Sequence, residues 1–321
     1  MKRYPIGIQD FSVLREGGYL YVDKTQNMFE LIDSGKYFFL SRPRRFGKSL
    51  LLSTLKYFFL GRRDLFEGLW VDRETDHDWA EHPVVHFSFN EIDYHKLGLE
   101  RALLEAVDEV ADHYGVDLQK TTLASRFREL IHTLGAGPQK VVLLIDEYDK
   151  PLVDYLNDMP QATENRKTLK NFFSVLKNAD PHLRFFLITG VSKFSKVSLF
   201  SDLNNLNDIT LLNRYATITG YTPQELDQYF GEDYSALAEA TGLAVPQVKV
   251  KIQEWYNGYQ WEVGKPVYNP FSVLNLFYSQ HFANYWWETG TPTFLLQALK
   301  DSFQFDLSEV EAGSTLFESY T

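Results

Sequence analysis

The sequence of 321 residues contains no cysteine. Disulfide frameworks, thiolate nucleophiles and cysteine-ligated metal sites are therefore excluded. The sequence also lacks any uninterrupted apolar run of about eighteen residues, and its N-terminus, MKRYPIGIQDF, has no apolar segment of the kind found in secretory signals. These absences predict a cytoplasmic protein that is neither exported nor inserted in a membrane.

Positive charge is also in deficit. Lysine and arginine number 32 against 43 acidic residues, which gives a net charge of -11. No overall field attracts the protein to nucleic acid or to an anionic membrane, so a polyanion has to be bound locally. A hydrophobic content of 44% with 23% charged residues predicts a folded globular chain, and the length favours two domains.

Short apolar runs alternate with helical segments along the first two thirds of the chain. The runs predict five strands, at residues 37–40, 84–89, 141–145, 184–189 and 216–219. Helices are predicted between them, at residues 49–60, 97–114, 123–134 and 163–178. Apolar runs of this length are typical of parallel strands buried on both faces, and the alternation predicts a doubly wound α/β fold. Ligands of such folds bind at the carboxyl ends of the strands.

The pattern changes at about residue 222. The sequence TPQE at 222–225 is a capping box with proline at the first helical position, and Asn269-Pro270 and Thr291-Pro292 repeat the entry of cap then proline. A turn or short β-ribbon is predicted at 258–270. The sequence therefore predicts a first domain at 1–221 and a smaller, mainly helical region at 222–321.

The stretch RPRRFGKS at residues 42–49 follows the first predicted strand and opens a helix. In phosphate-binding loops, backbone N–H groups and the helix N-terminus surround the anion, lysine adds charge, and Ser or Thr binds magnesium. Gly47, Lys48 and Ser49 fit these roles. The usual pattern has glycine at the position of Arg42, and Pro43 has no N–H. A basic surface turn before a helix is the alternative.

Two further strand ends carry residues suited to nucleotide chemistry. In VVLLIDEYDKP, Asp146 and Glu147 follow an apolar strand, where one acid can hold a magnesium ion and the other can polarise a water molecule. A solvated loop or helix cap is the alternative. In RFFLITGVSK, Thr189 is placed to sense phosphate or orient water, with Ser192 as the second choice; ordinary turn chemistry is the alternative.

Several segments together resemble the bacterial AAA-ATPase-like family, which is allied to the STAND branch of ASCE P-loop ATPases. They are RPRRFGKS, LLIDEYDKPL, LITGVSKFSK, LFSDLNNLNDIT, YLYVDKT, WYNGY and YNPFSVLNLF, spread over nearly the whole chain. An Arg-Pro-Arg opening of the loop is familiar in that group. The resemblance implies a P-loop NTPase three-layer sandwich with a parallel sheet in the order 5-1-4-3-2, followed by a helical, winged-helix-like region.

The resemblance also implies ATP and Mg²⁺ as cofactors and assigns roles to residues. Lys48 is expected to bind the β- and γ-phosphates, Ser49 and Asp146 the magnesium, and Glu147 the attacking water, with Thr189 as sensor. Asp23 and Lys24 are placed near the nucleotide, although their local pattern suggests a surface turn. The residues expected to bind the nucleotide are Arg42, Pro43, Arg44, Arg45, Phe46, Gly47, Lys48, Ser49 and Leu50.

The expected function is a Mg-dependent ATPase that couples its nucleotide state to a protein partner or to a C-terminal effector domain. Many relatives carry a nuclease-like domain of the PD-(D/E)XK type after this region, and self-association is left open. Arg214 is a weak candidate for an arginine acting in trans, with a surface salt bridge as the alternative. Alternative functions are an ATP-occupied switch without hydrolysis, a nucleic-acid or mobile-element factor, and a small-molecule kinase.

The remaining clusters favour structural roles. The eight histidines are scattered without the spacing of a zinc helix. Aromatic residues are dense at 255–261 and 285–287, but no basic residues are interleaved with them, so they favour core packing over base stacking.

Overall fold

The computed structural model describes residues 2–191, 200, 203, 205–261 and 265–285. Their contacts divide them into two compact units. The loop unit takes its residues from Met1–Phe38, Pro43–Val84 and Asp208–Gly290, and the sheet unit from Phe39–Arg42 and Val85–Asn207. The boundary at residue 221 stays a prediction.

A five-stranded parallel sheet is the centre of the fold. Its strands follow one another in the order β2-β3-β4-β1-β5, which is the predicted order 5-1-4-3-2 read from the other edge. The α/β P-loop-like fold is thereby confirmed. The strands are Tyr37–Ser41 (β1), Val84–Ser88 (β2), Val141–Asp146 (β3), Leu183–Gly190 (β4) and Asn207–Asp208 (β5).

Helices connect and flank the strands. Those of the first two thirds of the chain are Phe11–Glu16 (α1), Thr25–Ser34 (α2), Lys48–Phe59 (α3), Arg63–Phe66 (α4), Trp70–Glu74 (α5), Tyr94–Leu97 (α6), Leu99–His113 (α7), Leu123–Leu134 (α8), Lys150–Val153 (α9) and Met159–Ser174 (α10). Three more follow, Pro223–Thr241 (α11), Val245–Tyr256 (α12) and Pro270–Ser279 (α13). No helix in the described ranges combines the length and the apolarity needed to cross a bilayer.

The central strands are buried because their sequences are apolar on both faces. Every residue of β3 is buried, and β3 pairs in parallel with β4, with Ile145 opposite Ile188. Helices α8 and α10 cover the sheet unit with aromatic side chains, and the rings of Phe127 and Phe172 stack at 4.2 Å. Burial of such side chains contributes about 1.5–3 kcal/mol each, which fixes the positions of the strand ends.

The predicted fifth strand at 216–219 is wrong. The fifth strand is β5, at Asn207–Asp208, while Asn213–Tyr215 forms a 3₁₀ turn and the next four residues continue in turns and a bend. Ala216 is buried in a small cluster with Phe46, Trp261 and Val267. The alternation in ATIT therefore reflects packing of a turn, since four residues are too few to separate the two patterns.

Two of the three helix starts predicted after residue 221 are present. Thr222 and Glu225 form the capping box of α11, with the Glu225 N–H donating to Thr222 Oγ1 at 3.2 Å and the Thr222 N–H to Glu225 Oε2 at 2.7 Å. Asn269 caps α13 by accepting from the Ser272 N–H at 3.1 Å. The predicted ribbon is present as antiparallel strands Tyr259–Gln260 (β6) and Pro266–Val267 (β7). The third predicted start, Thr291-Pro292, lies outside the described residues.

Helix α12 was not predicted. Its cap position is Ala244, which has no side-chain oxygen, so the usual sequence signal is absent. Gln247 Oε1 instead accepts from the Ala244 N–H at 2.9 Å. Val248 and Ile252 of this helix are buried in one cluster with Phe230 and Phe277, which joins α11, α12 and α13.

Candidate functional site

Asp146 and Thr189 meet at the carboxyl ends of β3 and β4 in the sheet unit. Thr189 Oγ1 donates a hydrogen bond of 2.5 Å to Asp146 Oδ1, and both residues are buried. The contact follows from the parallel register, because Ile145 and Ile188 directly before them are partners. A short hydrogen bond to a carboxylate fixes its orientation. The predicted acid and the predicted sensor are therefore neighbours.

Glu147 lies directly after Asp146 in a left-handed backbone conformation, with φ of 53°. Non-glycine residues rarely adopt this region, and strain of this kind clusters at functional sites. The next residue holds the strain in place: the Tyr148 N–H donates to the Thr189 carbonyl at 3.0 Å. The Tyr148 ring is fully buried and lies so close to Gly190 that a Cβ there would clash with it.

Asp149 fixes the end of β4 from the same loop. Its carboxylate accepts from the Val191 N–H, at 3.2 Å to Oδ1 and 3.1 Å to Oδ2, and it is 1% exposed. Asp149 was not predicted from the sequence. The sequence feature that could have indicated it is an acidic residue three positions after Asp146, in the segment that follows a buried strand.

We expect Asp149→Asn to lower the free energy of unfolding by about 1–2 kcal/mol, because a hydrogen bond to a buried charged acceptor becomes a neutral one. Urea denaturation of both proteins measures the change. Asp112→Asn, at an exposed position of the same unit, is the control and should shift stability by less than about 0.5 kcal/mol. Equal stabilities of the two variants would contradict the role given to Asp149.

Arg42, where the usual pattern has glycine, is hydrogen-bonded to the ends of two strands. Its N–H donates to the Gly190 carbonyl at 3.2 Å, and its Nη1 donates to the Ser41 carbonyl at 2.9 Å. The side chain is 1% exposed. Ser41 Oγ likewise donates to the Val191 carbonyl at 3.0 Å. The main-chain bond of Arg42 and the hydroxyl bond of Ser41 tie the end of β1 to the end of β4, and the nucleotide contact predicted for Arg42 stays a prediction.

The loop that follows, within the loop unit, is a closed turn leading into α3. Gly47 precedes the helix with φ of 89°, and Arg45 also has a positive φ of 63°. A Cβ at Gly47 would meet nothing within 4 Å, so glycine is needed there for its backbone conformation alone. Lys48 is 4% exposed, and its ammonium donates to the Pro43 carbonyl at 3.1 Å.

The side chains of the loop divide into anchors and exposed groups. Phe46 is fully buried, with its ring 4.6 Å from that of Tyr259 and 5.9 Å from that of Trp261. This contact agrees with the core role expected for Trp261, whereas Trp255 of the same segment is exposed. Arg44 and Arg45 are exposed, and the Arg45 guanidinium lies 3.9 Å over the ring of Phe271.

Ser49 and Leu50 lie in the first turn of α3 and are partly exposed. The first N–H groups of a helix have no partner within the helix, and the helix dipole makes this end attractive to anions. Helix α3 has twelve residues and follows Gly47, whose backbone is left-handed. Its first N–H groups thus lie next to the buried Lys48. This arrangement suits a phosphate group.

Lys24 does not lie in a surface turn. Its ammonium donates to Glu225 Oε1 and Oε2 at 2.6 and 2.7 Å and to the Thr217 carbonyl at 2.9 Å, and its side chain is 11% exposed. Asp23 accepts from the Thr25 N–H at 2.8 Å and from the Trp70 N–H at 2.7 Å. Both residues thus hold the N-terminal segment inside the loop unit.

We expect Glu225→Gln to lower the free energy of unfolding by about 2 kcal/mol at neutral pH, because it leaves the Lys24 charge buried without its partner. Glutamine still fits the capping box, so the charge is the main change. Burial already lowers the pKa of Lys24, against the opposing effect of Glu225. The unfolded state then binds more protons, so the loss in the variant should shrink as pH rises.

Urea denaturation between neutral and alkaline pH measures this loss. The double variant Lys24→Met with Glu225→Gln is the control, because it removes the stranded charge and should recover most of the stability. A single variant as stable as the wild type at neutral pH would contradict the interpretation.

Other predicted residues are not part of this geometry. Arg214 pairs with Glu30 at 3.3 Å, which is the surface salt bridge given as its alternative. Ser192 and the tryptophans at 286 and 287 lie outside the described residues. Within the described ranges no group of three or more histidine and acidic residues is arranged to hold a metal ion.

The fold and these strand ends define an α/β protein of the P-loop-like class. A family model described as "Predicted AAA-ATPase" matches residues 5–200, more than half of the chain, so the chain belongs to the AAA-ATPase-like family. The chain is also 44% identical over 325 residues to an "Uncharacterized protein in vnfD 5'region" of Azotobacter chroococcum mcd 1. That match covers 99% of the chain but 60% of the relative. No solved structure matches the chain.

Proposed function

We propose that the protein binds ATP with Mg²⁺ and hydrolyses it to ADP and phosphate. The observation that carries the proposal is the order of the strands, which places the carboxyl ends of three of them side by side. Strands β3, β4 and β1 are consecutive neighbours, and they end at Asp146, at Thr189 next to Gly190, and at the start of the loop at residue 42. Ligands of open α/β sheets bind at the carboxyl ends of the strands.

In this proposal the loop of residues 42–50 binds the phosphates. The N–H groups at Gly47, Lys48 and Ser49 surround the β-phosphate, and the Lys48 ammonium binds the β- and γ-phosphate oxygens. Arg44 and Arg45 add positive charge at the exposed side of the loop. Arg42, Pro43 and Phe46 shape the loop, while Leu50 continues it into the helix.

The donor set suits a magnesium ion. Asp146 offers a carboxylate oriented by Thr189, and Ser49 offers a hydroxyl. Magnesium prefers oxygen ligands and is usually held by one or two protein groups together with substrate phosphates and water. When bound, the ion neutralises charge that develops on the phosphates.

Glu147 is proposed as the general base. Its carboxylate orients a water molecule and takes its proton while the water oxygen forms a bond to the γ-phosphorus. The bond from that phosphorus to the bridging oxygen of ADP breaks in line. Thr189 keeps the Asp146 carboxylate in place, and its own position at the end of β4 allows it to respond to the γ-phosphate.

The test combines two measurements on one sample. Isothermal titration of ATP with Mg²⁺ should give saturable binding, and a phosphate-release assay should give turnover that stops when EDTA removes the metal. Binding without release would favour an ATP-occupied switch. No binding would refute the proposal, and a phosphorylated acceptor in place of free phosphate would indicate a kinase.

We propose further that the nucleotide state regulates another protein segment. The match covers 60% of the length of the relative, so the rest of that relative is the proposed recipient of such a signal. The mainly helical region of α11, α12 and α13 is the proposed transmitter, because Glu225 in the first turn of α11 holds Lys24 of the N-terminal segment.

A further inference from the structure

Three polar side chains meet at one carboxylate oxygen in the sheet unit. Asp154 Oδ2 accepts from the Tyr94 hydroxyl and from the Lys150 ammonium, both at 2.6 Å. His95 Nε2 lies 3.2 Å from the same oxygen. Helix α6, which carries Tyr94 and His95, follows β2, and α9, which begins at Lys150, follows β3. The contacts at Asp154 thus join the segments that follow two neighbouring strands.

Asp154 neutralises the charge of Lys150. The side chains of Lys150 and Asp154 are 25% and 20% exposed, so the ion pair is partly shielded from water. Burial raises the pKa of Asp154, but the hydrogen bonds from Lys150 and Tyr94 outweigh this effect, and the pKa lies below its ordinary value. Burial, followed by the bond to Asp154, raises the pKa of Tyr94, so its hydroxyl remains a donor. At neutral pH Asp154 is therefore a carboxylate held between Tyr94 and Lys150.

Glu147, the proposed general base, lies close to these groups. The Lys150 N–H donates to the Glu147 carbonyl at 3.0 Å. After burial and the effect of Asp154, the negative charge of Glu147 also raises the pKa of Tyr94, which places the Glu147 side chain within electrostatic range of that hydroxyl. The Lys150 ammonium is itself 5.8 Å from the centre of the Tyr94 ring. The Glu147 carboxylate and the Lys150 ammonium are therefore both near Tyr94.

A lysine in this position can interfere with a general base. An ammonium that pairs with a carboxylate forms strong hydrogen bonds to the oxygen atoms that have to bind the attacking water. The lysine stem is long and flexible, and a partly buried ammonium without an acidic partner is unfavourable. Asp154, which is fixed by Tyr94, gives Lys150 such a partner away from Glu147.

We propose that Asp154 is a positioning residue of the hydrolytic site, which keeps the Lys150 ammonium away from the Glu147 carboxylate so that the carboxylate stays available to the attacking water. Tyr94 holds Asp154 in this role. The inference rests on the proposed hydrolysis of ATP. It assigns a role to side chains that follow the strand ends, and this role affects turnover without affecting the binding of the nucleotide.

The test is Asp154→Asn, which keeps an oxygen that can accept from Tyr94 and removes the charge that holds Lys150. Phosphate release at saturating ATP and isothermal titration of ATP, both with Mg²⁺, are measured well below the melting temperature of every variant. We expect turnover to fall about 10-fold, because a charged hydrogen bond from Lys150 then competes with water at Glu147. The affinity for ATP should stay nearly unchanged.

The double variant Asp154→Asn with Lys150→Met separates this role from a structural one. Methionine has an unbranched apolar side chain without a charge, so nothing at position 150 can then pair with Glu147. Turnover should return to near the wild-type rate, although the contacts of the Asp154 carboxylate are still missing. Two substitutions that act through one interaction are expected to be non-additive in this way.

Glu105→Gln is the matched control, since it breaks another ion pair of the same unit at the same spacing, with Arg101 at 3.0 Å. Its turnover should equal that of the wild type. Turnover of Asp154→Asn at the rate of this control, or a loss that Lys150→Met does not repair, would overturn the positioning role while the proposed function stands. A wild-type protein that releases no phosphate would refute the proposed hydrolysis itself, and the role of Asp154 with it.

Discussion

Replacing Lys48 with alanine should weaken the binding of ATP about 100-fold, which corresponds to roughly 3 kcal/mol. Lys48 is almost completely buried, and its ammonium is held 3.1 Å from the Pro43 carbonyl, so the charge is placed inside the loop before any ligand arrives. An ammonium in such partly dehydrated surroundings attracts phosphate more strongly than one in bulk water. Isothermal titration of ATP with Mg²⁺ measures both proteins.

Lys56→Ala is the matched control. Lys56 lies on the same helix, where its ammonium is 5.4 Å from the centre of the Tyr57 ring, at a distance of two helical turns from the loop. The substitution removes the same charge from the protein, so a general electrostatic effect would weaken binding in both variants. Equal affinities of Lys48→Ala and the control would mean that Lys48 does not bind the nucleotide.

The loss of Lys48 also removes a contact that closes the loop. Lys48→Arg separates the two effects. It keeps a positive charge, but the planar guanidinium is larger than the compact ammonium that fits among the N–H groups. We expect it to bind ATP more weakly than the wild type while melting at a similar temperature. A variant that unfolds instead would show that the lysine contact to Pro43 stabilises the loop unit.

The positions of the residues at the carboxyl ends of β3 and β4 could be predicted because a buried parallel strand appears in a sequence as a short apolar run. Residues 141–145 and 185–188 are apolar throughout, so the ends of these runs, and therefore Asp146 and Thr189 directly after them, could be located from the sequence alone. The order of the strands came from the resemblance to a family, because no periodicity in a sequence shows which strands are neighbours.

Predictions failed where distant residues determine the local structure. Lys24 looked like a surface residue because its partner, Glu225, is 201 positions away in the chain. The turn at 216–219 looked like a strand because its apolar residues pack on Phe46 and Val267, which no local pattern reveals.

The final prediction concerns turnover. Replacing Glu147 with glutamine should lower the rate of phosphate release by about 1000-fold, as expected when a general base is lost, and should leave the affinity for ATP nearly unchanged. Glutamine can still hydrogen-bond to a water molecule but cannot take its proton. Steady-state phosphate release and isothermal titration on the same samples separate the two effects.

Glu91→Gln is the control, at an exposed position shortly after the end of β2, the strand next to β3 in the sheet. It makes the same change of charge near the same edge and should not affect turnover. Turnover of Glu147→Gln at the rate of this control would show that another group accepts the proton, and Glu147 would lose its assigned role.

The backbone of Glu147 makes the comparison unusually direct. Its φ of 53° disfavours glutamate and glutamine alike, and the contacts that hold it there are made by Tyr148, whose N–H bonds to Thr189 and whose ring packs on Gly190. The substitution leaves those contacts of Tyr148 untouched, and urea denaturation of both proteins measures any change in stability. A large loss of turnover in an equally stable protein then has to come from the chemistry of the carboxylate, and it would explain why a strained acid is retained at this position.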